Sequence, residues 1–252
     1  MTRFFTTERT KPAGSSRVSG PARIKVQRGF SLVELMFSMF ILVLVISVAF
    51  DQIMQLQKKA ASESSRLDMS QDAREFIDQT VHDLHLAGYP NASMFAAVIP
   101  LTDSRVAAGI VSVSPTQLVY EGDVNNDGQV YSVQLVYVPS DPADPNCPCI
   151  RRHVSAKLQG IAPSDQPPST NYVETEHVMP PGQGNGQSGE DLFAYYDRNG
   201  NQILLAGPVT DPAIIAGIST VKINLSLLSP VVDPASENRA RTSLSSTVRL
   251  NQ

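Results

Sequence analysis

The apolar residues of this chain are unevenly placed, and the first dense block is one run from Phe30 to Phe50. Of these twenty-one residues seventeen are apolar, and Glu34 is the only charged one. A helix of that length reaches about 30 Å, enough to cross the hydrocarbon core of a bilayer. Apolar residues then continue at helical spacing: Ile53, Leu56, Ala60, Leu67, Met69, Ala73, Phe76, Ile77, Val81 and Leu84. No Gly or Pro interrupts the chain between Phe30 and Ala87, and Gly88, with Pro90 behind it, supplies a stop. The pattern predicts a helix ending near residue 88, roughly 85 Å long if unbroken. The stripe is thin over Ala61–Arg66, so a break within 51–66 is the rival arrangement.

From residue 91 the period changes to two. Gln117–Tyr120, Val130–Val138, Leu192–Tyr196 and Ser219–Leu228 read as strands. The cleanest is Val221–Leu227, apolar at alternate positions. A sheet needs cover on one face, and the amphipathic second half of the helix can supply it. The expected fold is therefore α+β, a long N-terminal helix packed on an antiparallel head with long loops. Pro139–Pro148 and residues 163–190 read as those loops, being rich in Pro, Asp, Gly, Ser, Asn and Gln. Four segments are expected: a basic leader (1–29), a membrane and assembly helix (30–50), its amphipathic continuation (51–88) and a β-rich head (89–252).

Charge sets the direction. Residues 1–29 carry seven basic side chains and one acid, Glu8, while the remainder holds thirteen basic and twenty-three acidic residues. The basic end of an apolar segment stays in the cytoplasm, which sends residues 51–252 outward. An acidic remainder without a basic stripe argues against nucleic acid. An ordinary secretory signal is the bland alternative, since Ser47-Val48-Ala49 has a small-x-small cleavage pattern. Glu34 speaks against it. A carboxylate in an apolar run costs a few kcal/mol and is normally kept for a partner. If the chain is cut between Gly29 and Phe30, the new amine of one subunit's Phe30 can meet the Glu34 of its neighbour.

Arg28-Gly29-Phe30-Ser31-Leu32-Val33-Glu34-Leu35 resembles the prepilin cleavage and methylation motif of type IV pilins and type II secretion pseudopilins. The resemblance implies that a prepilin peptidase cuts after Gly29, that Phe30 is N-methylated and that Glu34 guides assembly with other pilin or pseudopilin subunits. It further implies a single-pass protein of the bacterial inner membrane, in contact with its lipid, whose head lies outside the cytoplasm and later joins a cell-surface or periplasmic filament. Ala73-Arg74 together with Asp83-Leu84-His85-Leu86-Ala87-Gly88-Tyr89 is similar to a stretch of PilW-type minor pilins, with His85 where an arginine is usual. Thr242–Asn251 is similar to their closing strand. The proline that major pilins carry near the membrane exit is missing around Asp51 and Gln52.

Other chemistry is sparse. Asp123, Asn125 and Asp127, with Gly128 sixth and Val130 eighth, match the opening of a calcium loop, but Gln134 stands where the bidentate acid belongs. A plain hairpin turn has the same composition. Cys147 and Cys149 allow one disulfide across a single proline, or metal ligation together with His153. His82 and His85, three apart on the helix, read as a polar face rather than a metal site. Apart from calcium no cofactor is expected, and without a nucleophile elbow, phosphate loop or paired acids an enzymatic role is unsupported. The leading expectation is a minor pilin-like subunit, in or capping a filament. The rivals are a membrane-anchored adhesin or ligand-binding module, and an exported enzyme behind a cleaved signal.

Overall fold

The computed structural model describes residues 29–168, 170–182, 190–233 and 236–250. The leader 1–28 lies outside them, as does part of the 163–190 segment. The chain divides into two compact units, Met1–Asp51 and Gln52–Gln252. The long helix α1, Leu32–Leu86, contributes to both and carries no break within 51–66.

The second unit contains nine strands among the described residues. β1 (Gly109–Val113), β2 (Gln117–Gly122), β3 (Tyr131–Val138), β4 (Cys149–Ala156) and β5 (Thr170–Thr175) form a sheet in that order. β6 (Phe193–Tyr196), β7 (Gln202–Ile203), β8 (Thr220–Val232) and β9 (Arg239–Arg249) form a second sheet in the order β7-β6-β8-β9, with the short helix α2 (Pro212–Gly217) before β8. Every strand pair is antiparallel. The head is thus α+β as expected, with two sheets rather than one. Both inner faces share a single core with α1: Met69, Ala73, Phe76, Ile77 and Leu84 pack with Tyr120 and Leu135 of the first sheet and with Tyr195, Ile223 and Leu225 of the second. In β8 the alternation is regular, Val221, Ile223, Leu225 and Leu227 all being buried, which is the period-two pattern of a one-sided strand.

Three expectations need correction. The segment 163–190 is not loop throughout, because it contains β5. Its residues, Thr-Asn-Tyr-Val-Glu-Thr, lack apolar alternation since β5 is an edge strand held to β4 by backbone bonds. β4 also escaped the pattern, because its inward-facing position 152 is an arginine, buried and paired with Asp83 of α1. Third, the apolar stripe on α1 is two stripes. Met69, Ala73, Phe76, Ile77 and Leu84 are buried, whereas Ile53, Leu56 and Leu67 are 50%, 66% and 64% exposed and Ala60 is exposed too.

The end of α1 is fixed to β2. Gly88 adopts a left-handed φ of +84°, which closes the helix, and its N–H donates to the Glu121 carbonyl at 2.9 Å. Ala87 bridges to Gly122, and a Cβ at Gly122 would stand 2.5 Å from the Leu86 carbonyl oxygen. Only glycine lets the helix end approach that closely.

Candidate assembly segment and head sites

Gly29 and Phe30 are exposed and precede α1; Ser31 accepts the first helical bond, from the Leu35 N–H to its carbonyl at 3.1 Å. Glu34 then falls in the first turn, three residues beyond Ser31, the spacing of a capping box. A negative group there complements the N–H groups left open at a helix start. From Phe30 to Phe50 no residue is buried, and large side chains such as Phe37, Phe40 and Phe50 stand more than half exposed. The segment is the one described helix long and apolar enough to cross a membrane. Its serines fit such surroundings: Ser38 donates to the Leu35 carbonyl and Ser47 to the Leu44 carbonyl, each at 2.9 Å. Hydroxyls bonded to their own helix leave no donor bare in lipid.

Further along, within the second unit, Ile53, Leu56, Ala60 and Leu67 recur at offsets of three, four and seven and form one face. Met69, Ala73, Phe76, Thr80 and Leu84 form the buried face. On a helix of 3.6 residues per turn the two centrelines lie roughly 150° apart. The exposed apolar stripe therefore points away from the head's own core.

The turn between β2 and β3 brings Asp123 and Asp127 together. Asp123 is buried, and its two oxygens accept the N–H groups of Asp127 and Gly128, both at 3.0 Å. Asp127 accepts the Gln129 N–H at 2.9 Å and the Tyr131 hydroxyl at 2.7 Å. The Tyr131 bond, with the backbone donor behind it, holds the Asp127 carboxyl below its ordinary range. All four carboxylate oxygens are thus engaged by the turn itself. Asn126 and Gly128 take left-handed φ values of +54° and +83°, as a tight Asx-rich turn requires. Gln134 lies on β3, paired with Val119 and His153, well into the sheet rather than beside the turn.

Cys147 and Cys149 are joined by a disulfide. The Asp144 carboxylate lies near their sulfurs. The preceding loop is tied to β4 by Arg151, which contacts Asp141 at 2.5 Å and Asp144 at 3.9 Å. His153 is on the same strand, and burial together with the Arg151 charge pushes its pKa below the usual 6.5. His82 and His85 are exposed on α1.

Sequence reasoning missed the residue between those histidines. Asp83 is buried, and its Oδ2 accepts both the Tyr120 hydroxyl at 2.7 Å and the Arg152 guanidinium. The signal was its helical phase: Phe76, Thr80, Asp83 and Leu84 follow one inward stripe. A carboxylate placed there without a partner would be costly, so a paired cation on the facing sheet is what the phase demands.

Residues 24–50 match the family described as the prokaryotic N-terminal methylation motif. The match covers the Gly29–Phe30 junction, Glu34 and the apolar run, and none of the head. It supports a type IV pilin-like exported subunit. No curated protein and no solved structure matches the chain.

Proposed function

We propose that this chain is a minor pilin-like structural subunit. A prepilin peptidase cleaves it between Gly29 and Phe30, and Phe30 is then N-methylated. The apolar half of α1 holds the product in the bacterial inner membrane, and the head faces away from the cytoplasm. From there the subunit joins or caps a filament of the type IV pilus or type II secretion kind. The stretches 73–89 and 242–251 are similar to PilW-type minor pilins. One observation carries the reading: a match to the methylation motif over residues 24–50 opens a helix of which no residue from Leu32 to Phe50 is buried. A surface that apolar needs lipid or other helices around it.

N-terminal analysis of the mature protein tests it. Methylated Phe30 is the expected first residue. A start at Phe50 would restore an ordinary secretory signal and overturn the filament reading.

A second reading, a membrane-anchored binding module, has one observation in its favour. A cavity of about 570 Å³, lined by Ala87, Leu101, Ile110, Pro163, Ile215 and Leu250 among others, opens beside β1. That size and apolar lining suit a small uncharged ligand. It makes no use of Glu34, which is why the filament reading is preferred.

A further inference from the structure

We propose that β9 is a docking edge for a second copy of this chain, which it meets on the acidic flank of α1. The proposal rests on the filament reading above and names one interface of it. β9 ends the order β7-β6-β8-β9, so among the described residues no strand covers its outer side. It is 11 residues long and contains neither Pro nor an acid. Open edges of that length template further contacts unless something occupies them.

The face along this edge is cationic. Arg239, Arg241 and Arg249 are exposed, and none of them enters an ion pair among the described residues. Ser243 lies opposite Ser226, and their hydroxyls meet at 2.8 Å. The odd-numbered positions of β9 therefore share one face with Lys222, Asn224 and Ser226 of β8. β8 has no acid either, in a chain whose residues 30–252 hold ten more acidic than basic side chains.

The complementary surface is on α1. Asp68, Asp72 and Glu75 line its exposed flank, and Glu176, just beyond β5, adds a fourth carboxylate. Partial burial, then the charges of Asp68, Glu75 and Glu176, raise the pKa of Asp72. Among the described residues no cationic side chain offsets that shift. Four like charges held this close want cations from outside, and three unpaired arginines sit on a different element of the same molecule. Engaged head to tail, edge on flank, each added copy presents a fresh edge or flank, the geometry that grows an open assembly. An anionic polymer on β9 would leave the acidic flank unanswered and be repelled by it. A second copy satisfies both surfaces.

The test uses the full-length, processed chain. Copies carrying Ser245→Cys are co-produced with copies carrying Gln71→Cys; the native cysteines are paired with each other and stay out of the reaction. Cross-linked dimers are expected, weakening as salt rises. Arg239→Glu with Arg241→Glu should cut their yield about tenfold, and so should Asp72→Lys with Glu75→Lys, because like charges then face each other. All four changes in one chain should restore it, which also shows that the losses are not misfolding. A chain that starts at Phe30 and enters filaments, yet gives no cross-link or cross-links equally well with reversed charges, would overturn this interface and leave the filament reading standing. A chain neither cut at Gly29 nor found in filaments would overturn both. Unchanged cross-linking together with loss of binding to an anionic polysaccharide in the Arg239→Glu, Arg241→Glu chain would assign the face to a polymer and sink the proposal.

Discussion

Lys157 and Glu121 meet at 2.6 Å with neither side chain exposed. The ammonium also donates to the Leu101 carbonyl at 2.6 Å and the Val106 carbonyl at 2.7 Å, so all three of its protons are placed. The Glu121 oxygen it contacts accepts the Ala108 N–H as well, at 3.0 Å. One pair therefore ties the 101–108 segment to the strand that receives the end of α1. Burial pushes the Glu121 pKa up, with the Lys157 bond and charge opposing it.

Breaking that pair from one side should be costly. Lys157→Met leaves a buried carboxylate and two carbonyls without their donor, for an expected loss of about 3–5 kcal/mol. Adding Glu121→Leu should recover a large part, since an apolar pair strands no charge. Urea unfolding of the full chain in detergent, followed by circular dichroism, measures both. If the double variant proves as unstable as the single one, the cost lies in the carbonyls and not in the bare carboxylate.

Leu56 and Leu67 allow folding to be separated from assembly. Both are exposed and face away from the core, so changing them to Gln should alter head stability by no more than about 0.5 kcal/mol. Incorporation into filaments should nevertheless fall sharply, because the outward stripe is where neighbouring helices would pack. Thermal melting and filament fractionation of the same variant give the two readings. Wild-type incorporation would show that the stripe is idle.

Glu34→Leu addresses mechanism. The variant should insert into the membrane at least as readily as wild type, because a carboxylate has left the apolar segment. Cleavage after Gly29 should persist. Recruitment into filaments should be lost with the partner of the Phe30 amine. Processed, membrane-held and filament-borne protein are compared for the two chains, and normal recruitment of the variant would refute the role given to Glu34.

His153 contributes a modest pH dependence of known sign. Its pKa is lowered below 6.5 in the folded state by burial and by Arg151. The unfolded chain then binds the proton more readily, so the contribution is complete above 6.5 and is lost as pH falls through that value toward the depressed one. The side chain is only partly buried, so the effect is small. His153→Gln should flatten the melting temperature across that window relative to wild type. A wild-type profile already flat there would contradict it.

The helix and the head's clearest strands were legible because burial repeats simply in them: Val221 through Leu227 alternates without exception, and nothing between Phe30 and Ala87 breaks a helix. What escaped was decided by partners far away in sequence. β4 looked polar because Arg152 serves a carboxylate sixty-nine residues distant, and β5 looked like loop because an edge strand needs only its neighbour's backbone. The two faces of α1 could have been separated by phase alone, since Leu67 and Met69 both look apolar yet sit on opposite sides. The Gly29–Phe30 motif was legible for a different reason. It is a linear string within the motif matched over residues 24–50, so no tertiary context is needed to recognise it.

The Leu86–Gly122 contact has a mechanical consequence. Over the short stretch from Asp83 to Tyr89 the helix is joined to its sheet by the Asp83 bonds to Tyr120 and Arg152, by the Gly88–Glu121 bond, and by the Tyr89 carbonyl accepting the Asp123 N–H at 3.0 Å. These links act in parallel, and at Gly122 there is no slack through which the backbone could slide. A tug arriving along the second half of α1 is therefore divided among them and cannot peel them away one at a time. The helix end behaves as a riveted joint, and the head is carried by several fasteners rather than hung from one.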